Sequence, residues 1–263
     1  MPPTEPAPTT EPTATATAAP TAVVTGAGRG FGRATAVALC RAGIQVVGVA
    51  RDRTDLEKVQ AELGDSFVPV SADATDPAVA ERLLAQHVPR ILVLNAGAIP
   101  LARPVHEYDW ETFSLHWQAD VQHVFHWTRL ALTMPLPPGS TVIALSSGAA
   151  LRGSPVSGGY AGAKATIRFL ASYAAEESQR GGLGLRFLSV LPPMTPGAGV
   201  GDAGVAGYAA RTGLTESEFI QRLGPTLTPE EIGRTIASLA LALDPDLTHT
   251  GYQLTASGPV ALD

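Results

Sequence analysis

Tyr160-Ala161-Gly162-Ala163-Lys164 sets a phenol four residues before an ammonium, and the hydroxyl of Ser147 stands thirteen residues upstream of the phenol. A helix turns about 3.6 residues per cycle, so Tyr160 and Lys164 share a face. Tyrosine ordinarily ionises near pH ~10, and bringing such a group to ~7 takes about 4 kcal/mol of differential stabilisation. An ammonium ~4 Å away at an effective dielectric of ~20 supplies roughly that much. The spacing suggests an acid/base tyrosine tuned by lysine, with Ser147 able to reach the same carbonyl oxygen. Taken alone, the pair also fits a half-buried aromatic beside a solvated charge.

The elements that must position these groups are legible nearby. Val142-Ile143-Ala144-Leu145 is a short apolar run that ends in Ser146-Ser147-Gly148. It reads as a buried parallel strand delivering Ser147 at its carboxyl end, where open α/β sheets bind ligands. Thr25-Gly26-Ala27-Gly28-Arg29-Gly30-Phe31-Gly32 follows the strand-like Thr21–Val24 and opens a helical pattern from Phe31 to Ala42. Glycines there let the backbone turn tightly and approach a pyrophosphate, while the first free N–H groups of the helix point at the anion.

Strands are expected near 21–25, 45–50, 67–71, 90–95, 140–145, 184–191 and 252–256. Helices are expected near 31–42, 54–63, 77–86, 109–134, 159–180 and 228–243. This alternation predicts an α/β doubly wound, mainly parallel seven-stranded sheet with helices on both faces. Residues 21–263 suit one such domain, and 45% hydrophobic content is ample for its core. Eighteen basic against 24 acidic residues give a net charge of −6 without a basic block, which argues against nucleic acid or an anionic membrane as partner. No apolar run approaches the roughly 18 residues of a membrane span. Residues 1–20, rich in Pro, Thr and Ala, lack the basic and apolar parts of a secretory signal and read as a disordered extension. Cys40 is the only cysteine, so no intrachain disulfide forms and a cytoplasmic setting is expected, with Cys40 as an inert core thiol.

The TGxxxGxG loop, Leu94-Asn95-Ala96-Gly97, Ser147 and Tyr160-xxx-Lys164 together resemble the short-chain dehydrogenases/reductases, across about residues 21 to 258. The resemblance implies a Rossmann-type fold and a nicotinamide dinucleotide held by Gly26, Gly28, Arg29, Gly30, Phe31, Gly32, Asn95, Gly97, Tyr160 and Lys164. It implies that Ser147 orients a substrate oxygen, that Tyr160 transfers the proton, and that Lys164 tunes Tyr160 and holds the nicotinamide ribose. Asp73 resembles the family's adenine-contacting Asp, and Asn95 its Asn on the adenosine side. A homodimer or homotetramer is implied by the resemblance alone.

Cofactor choice follows from charge. A 2′-phosphate wants arginine, whereas a ribose diol wants an acidic acceptor at the end of the second strand. Ala50 occupies the place of that acid, Arg51 follows it, and Arg29 lies in the glycine loop, so NADP(H) is expected. Two segments depart from the family pattern. Asp120 falls where an Asn usually holds a relay water through its main-chain carbonyl, and a carboxylate there could shift the proton affinities around Lys164. Pro192-Pro193-Met194-Thr195-Pro196-Gly197 replaces the usual Pro-Gly, leaving Pro192 and Thr195 as expected nicotinamide contacts.

His116, Asp120 and His123 share a helical face at i, i+4 and i+7, and read as an interface or structural cluster, with no metal expected. Trp117, Val121, Val124 and Thr128 read as a packed stripe. Residues 194–225 are expected to be irregular and to form a substrate lid, with Leu151, Val156, Met194 and Tyr208 as candidate apolar walls. These readings point to an NADPH-dependent carbonyl reductase acting on a ketone or secondary alcohol. A non-redox lyase or isomerase on the same fold, and a nucleotide-binding regulator without turnover, are the alternatives.

Overall fold

The computed structural model describes residues 20–134, 136–242 and 249–262. The expected N-terminal extension lies outside them, apart from Pro20. Eight strands form one sheet: β1 (Thr21–Thr25), β2 (Gln45–Ala50), β3 (Phe67–Ser71), β4 (Ile91–Leu94), β5 (Thr141–Leu145), β6 (Arg186–Leu191), β7 (Gly251–Thr255) and β8 (Gly258–Leu262). Their order is β3-β2-β1-β4-β5-β6-β7-β8, with the first seven parallel and β8 antiparallel to β7. The doubly wound sheet is thus as expected, but it carries one strand more than the seven read from sequence. Pro259 lies in β8; proline is tolerated on an edge strand because the missing N–H faces outward.

The strands are nearly continuous apolar runs because both faces are covered. Ala22 and Val24 of β1, Ile91 and Val93 of β4 and Ile143 of β5 face α1 (Gly30–Arg41), α2 (Arg53–Leu63) and α10 (Pro229–Leu241). Val23, Leu92, Leu94, Val142 and Ala144 face α3 (Pro77–His87), α5 (Gln122–Thr133) and α7 (Tyr160–Arg180). Side chains alternate across a strand, so each run feeds two cores. α1 meets α10 at Gly233, where an added Cβ would lie 2.4 Å from Ala34 C.

Two helical regions differ from expectation. The single helix read over 109–134 is α4 (Trp110–His116), a π-helical turn at Trp117–Val121, and then α5. The stretch 194–225, expected to be irregular, forms α8 (Gly199–Thr212) and α9 (Glu216–Leu223). Four glycines in α8 lower its intrinsic helicity. They also permit close packing: a Cβ at Gly201 would sit 1.8 Å from Thr195 O, and one at Gly207 2.5 Å from Ala102 Cβ. A short α6 (Ala149–Arg152) follows β5.

Candidate active site

Strand β4 runs into Asn95, β5 into Ser146 and Ser147, and β6 into Pro192, so three neighbouring strand ends open on the same side of the sheet. Helix α7 starts at Tyr160 and is pinned to β5 at Ser146, whose hydroxyl donates to the Lys164 carbonyl at 2.7 Å. This bond fixes the height of the Tyr160/Lys164 face against the end of β5. Ser147 Oγ accepts from Ala149 N at 3.2 Å, in the first turn of α6.

Lys164 is buried, and its Nζ donates to Leu145 O at 3.0 Å and meets Asp120 Oδ2 at 3.1 Å. It also lies 5.6 Å from the centre of the Tyr160 ring. Asp120 sits in the π-helical turn, 1% exposed; such one-turn π segments often re-aim a functional side chain. Its Oδ1 accepts from Ala98 N at 2.8 Å and lies 3.4 Å from His116 Nδ1. A Cβ at Gly97 would come within 2.9 Å of the carboxylate, so that glycine gives Asp120 its room. His116, itself 2% exposed, stands edge-on to Tyr160 with ring centres 5.1 Å apart.

The electrostatics follow from this enclosure. Burial alone would raise the Asp120 carboxyl, but the Lys164 ammonium, His116 and the Ala98 N–H hold it down at about 2. Burial works against the Lys164 charge as well, and Asp120 and Tyr160 outweigh it and raise its proton affinity. The buried group is therefore a carboxylate–ammonium pair. His123 is fully enclosed, and burial pushes it down to about 4 so that it stays neutral. His116, Asp120 and His123 turn inward within the chain, so of the two readings, interface or structural cluster, the described residues fit the structural one. Among the described residues no group of three His, Cys, Asp or Glu has a metal-binding arrangement.

A cavity of about 690 Å³ joins these groups. Of the residues singled out in the sequence, Phe31, Asn95, Gly97, Asp120, Ser147, Tyr160, Lys164, Pro192 and Thr195 line it. Val156, Met194 and Tyr208 also line it; Leu151 does not, which corrects its place among the expected walls. Thr195 is almost fully buried, its hydroxyl donating to Pro193 O at 3.1 Å. Sequence reading gave no role to Arg152, Ser154 and Arg222, which lie on α6, the following loop and α9 and line the same cavity. The i, i+4 spacing of His116 and Asp120 reads in the sequence as an interface or structural pair, but carries no sign of the contact between His116 and Tyr160.

Of the glycine loop only Phe31 lines this cavity; Gly26, Gly28, Gly30 and Gly32 do not. Asn95 Nδ2 donates to Thr25 O at 3.0 Å and Gly26 O at 3.3 Å, tying the loop to the end of β4. Gly26 has φ +67, and a Cβ at Gly32 would lie 2.2 Å from Gly26 O, so loop and helix start pack backbone to backbone. Gly28 lies over Ala50 and Asp55, and Gly30, at φ +55, has open space around it. Arg29, Arg51 and Asp73 are exposed around the loop. The Asp73 carboxyl is held below the usual range chiefly by the Thr75 N–H, with the Thr75 hydroxyl and Arg51 assisting. Asp52 and Asp55 are committed elsewhere: Asp52 caps α2 by accepting from Asp55 N at 3.2 Å, and Asp55 pairs with Lys58 at 3.0 Å.

Comparison with known proteins adds three observations. The sequence model of the short chain dehydrogenase family matches residues 20–202. A D-erythrulose reductase of Gallus gallus is 28% identical over 147 residues, 55% of this chain and 59% of the reductase's own length. An uncharacterized oxidoreductase of Schizosaccharomyces pombe is 27% identical over 224 residues, 82% of this chain and 88% of that one. Among solved structures, the closed form of a serine dehydrogenase complexed with NADP+ superposes with a TM-score of 0.74 at 21% identity, covering 89% of this chain and 93% of that one. A NAD+-bound xylitol dehydrogenase gives 0.76 at 20% identity, covering 88% and 95%. Both structural likenesses speak for the doubly wound fold.

Proposed function

Because the chain belongs to the short-chain dehydrogenase family, we propose that it is an NADP(H)-dependent oxidoreductase that interconverts a ketone and a secondary alcohol. The observation that carries this reading is the convergence of Ser147, Tyr160 and Lys164 on one cavity that Asn95 and Phe31 also line. The residues around the glycine loop fit a dinucleotide: Gly26 turns the chain, α1 presents its free N–H groups, and two guanidinium groups flank the loop while the nearby carboxylates of Asp52 and Asp55 are engaged. Ala50 offers no acceptor for a ribose diol. Arg29 and Arg51 suit a 2′-phosphate, which supports NADP(H) over NAD(H).

The bound nicotinamide supplies or accepts the hydride. Ser147 Oγ orients the substrate oxygen, and Tyr160 gives its phenolic proton to that oxygen during reduction or takes it back during oxidation. Lys164 stands beside the Tyr160 ring and stabilises negative charge there. Asp120 holds the ammonium in place and offsets part of its charge, an arrangement supported by the 3.1 Å contact. Residues of α6, α8 and α9 line the cavity beside these groups.

The test is a panel of ketones with NADPH and NADH, the products identified by mass. Wild-type protein should oxidise NADPH in step with alcohol formed, and Tyr160→Phe should lose roughly 10²–10⁴-fold in turnover while still binding NADPH. Arg51→Asp should weaken NADPH far more than NADH. Product formed without net cofactor change would establish the lyase or isomerase reading instead, and a Tyr160→Phe protein that keeps most of its turnover overturns the scheme.

A further inference from the structure

Four charged side chains line the cavity: Asp120, Lys164, Arg152 and Arg222. Asp120 and Lys164 neutralise one another across 3.1 Å. Neither Arg152 nor Arg222 forms an ion pair or a hydrogen bond among the described residues. The uncompensated charge of the wall is therefore two guanidinium groups, in a chain whose net charge is −6. A cleft lined by one sign of charge concentrates ligands of the other sign.

The two arginines line one cavity, and the residues near them in sequence are linked by contacts. Arg152 closes α6 two residues before Ser154. Ser154 Oγ accepts from Tyr208 OH at 2.9 Å, and Tyr208 stacks on Phe219 with ring centres 5.8 Å apart and planes inclined by 6°. Phe219 stands three residues before Arg222 on α9. Of the acids on this side, Asp202 accepts from Gly197 N at 2.7 Å and Glu218 from Thr215 N and Oγ1, and none of Asp202, Glu216 and Glu218 forms an ion pair with either arginine among the described residues. This wall is remote in sequence from the Arg29 and Arg51 loop assigned to the nucleotide, and it is built on α6, α8 and α9, which cover Tyr160.

We propose that Arg152 and Arg222 form an anion-recognition site, and that the substrate is a carbonyl compound bearing a carboxylate or phosphate on the part remote from its carbonyl. This rests on the carbonyl-reductase reading for the carbonyl and extends it to the other end of the molecule. Guanidinium forks suit either anion, because both present paired oxygens in a plane. The Ser154 and Tyr208 hydroxyls, bonded to one another, line the same cavity and are further polar groups for such an anion.

The experiment compares keto acids with their methyl esters, using acetoacetate and levulinate for the carboxylate and dihydroxyacetone phosphate against dihydroxyacetone for the phosphate. Wild-type kcat/KM should favour the charged member of a pair. Arg152→Gln and Arg222→Gln should each lower the charged-to-neutral ratio of kcat/KM by about 10–100-fold, from the loss of one charge-assisted bond, and Arg222→Lys should recover part of it. Added salt should depress the charged member more than the neutral one. A purely structural effect of the substitutions would lower both members alike and leave the ratio unchanged, which overturns the proposal; so does a wild-type preference for neutral members throughout. If no ketone is turned over with either nucleotide, the carbonyl-reductase reading fails by itself. The anion site is then read by calorimetric titration of the nucleotide-mixed protein with glutarate and with inorganic phosphate. Saturable binding that both Gln variants weaken at least tenfold supports the site, and equal or absent binding in all three proteins overturns it.

Discussion

The cavity has two walls built on opposite terms. The wall carried by β4, β5, the π-helical turn and α7 buries and pairs its charges, Asp120 and Lys164, with the His116 ring beside them; all three residues are under 7% exposed. The wall carried by α6, α8 and α9 leaves its two arginines exposed and fixes itself with a hydroxyl pair and a ring stack. A proton-transfer group has to hold its geometry to a fraction of an ångström, so it is placed where packing admits one arrangement. The other wall has no buried residue in α6 and one in α9, and elements with so few buried contacts have the lower local stability.

The largest expected effect breaks the buried wall. Asp120→Asn removes one partner of an ion pair that lies out of water, and should cost about 3–5 kcal/mol in urea unfolding. Asp120→Leu combined with Lys164→Met removes both charges and should recover most of that loss. A double variant no more stable than Asp120→Asn would mean that the wall is held by its shape and not by the pair. Because the Asp120 carboxyl is depressed to about 2, the pair's contribution is fully present above pH ~4 and is lost as pH falls through about 2.

Next in size is the response of this wall to acid. His123 titrates near 6.5 in the unfolded chain and is pushed down to about 4 in the folded one. The unfolded chain thus takes up the proton first, and stability should fall by about 3 kcal/mol as pH drops from about 6.5 to about 4. Urea midpoints measured across that window should shift more in wild type than in His123→Phe, which keeps a ring against Trp127. Identical slopes would show that His123 is not what limits acid stability.

The two walls were also unequally legible in the sequence. Ser147, Tyr160 and Lys164 could be placed because a buried strand and a helix start leave strong local signals, and the apolar runs of β1, β4 and β5 report burial on both faces. Asp120 was legible through the family resemblance, at the place of the usual Asn and with a carboxylate able to act near Lys164; the π-helical turn that carries it and its direct contact with Lys164 leave no periodic trace in the sequence. Helix α8 was hidden by its own packing requirement. Glycines at 201 and 207 read as loop residues, while in the fold they let α8 approach Thr195 and Ala102 closely. Arg152 and Arg222 gave no signal because neither belongs to a motif and only the tertiary fold brings them to one cavity. β8 was missed for a simpler reason, since Pro259 argues against a strand anywhere except an edge.

The smallest expected effect compares one motif in both regions. Thr215 and Thr228 each form a capping box, accepting from the backbone N–H of Glu218 and Glu231 at 3.2 Å while those glutamates bond back to the threonine. Replacing either threonine by alanine removes the same cap, worth about 1 kcal/mol. Thr228 starts α10, whose Ile232, Ile236 and Leu239 belong to the core against β1 and α1, so Thr228→Ala should lower global stability by that amount. Thr215 starts α9, where Phe219 is the one buried residue. Its cap should therefore stabilise a unit that opens without the rest. Thr215→Ala should leave the urea midpoint nearly unchanged, and should speed amide hydrogen exchange in 216–223 about fivefold. Equal losses of global stability in the two variants would show that α9 unfolds with the core, and that the exposed wall is as rigid as the buried one.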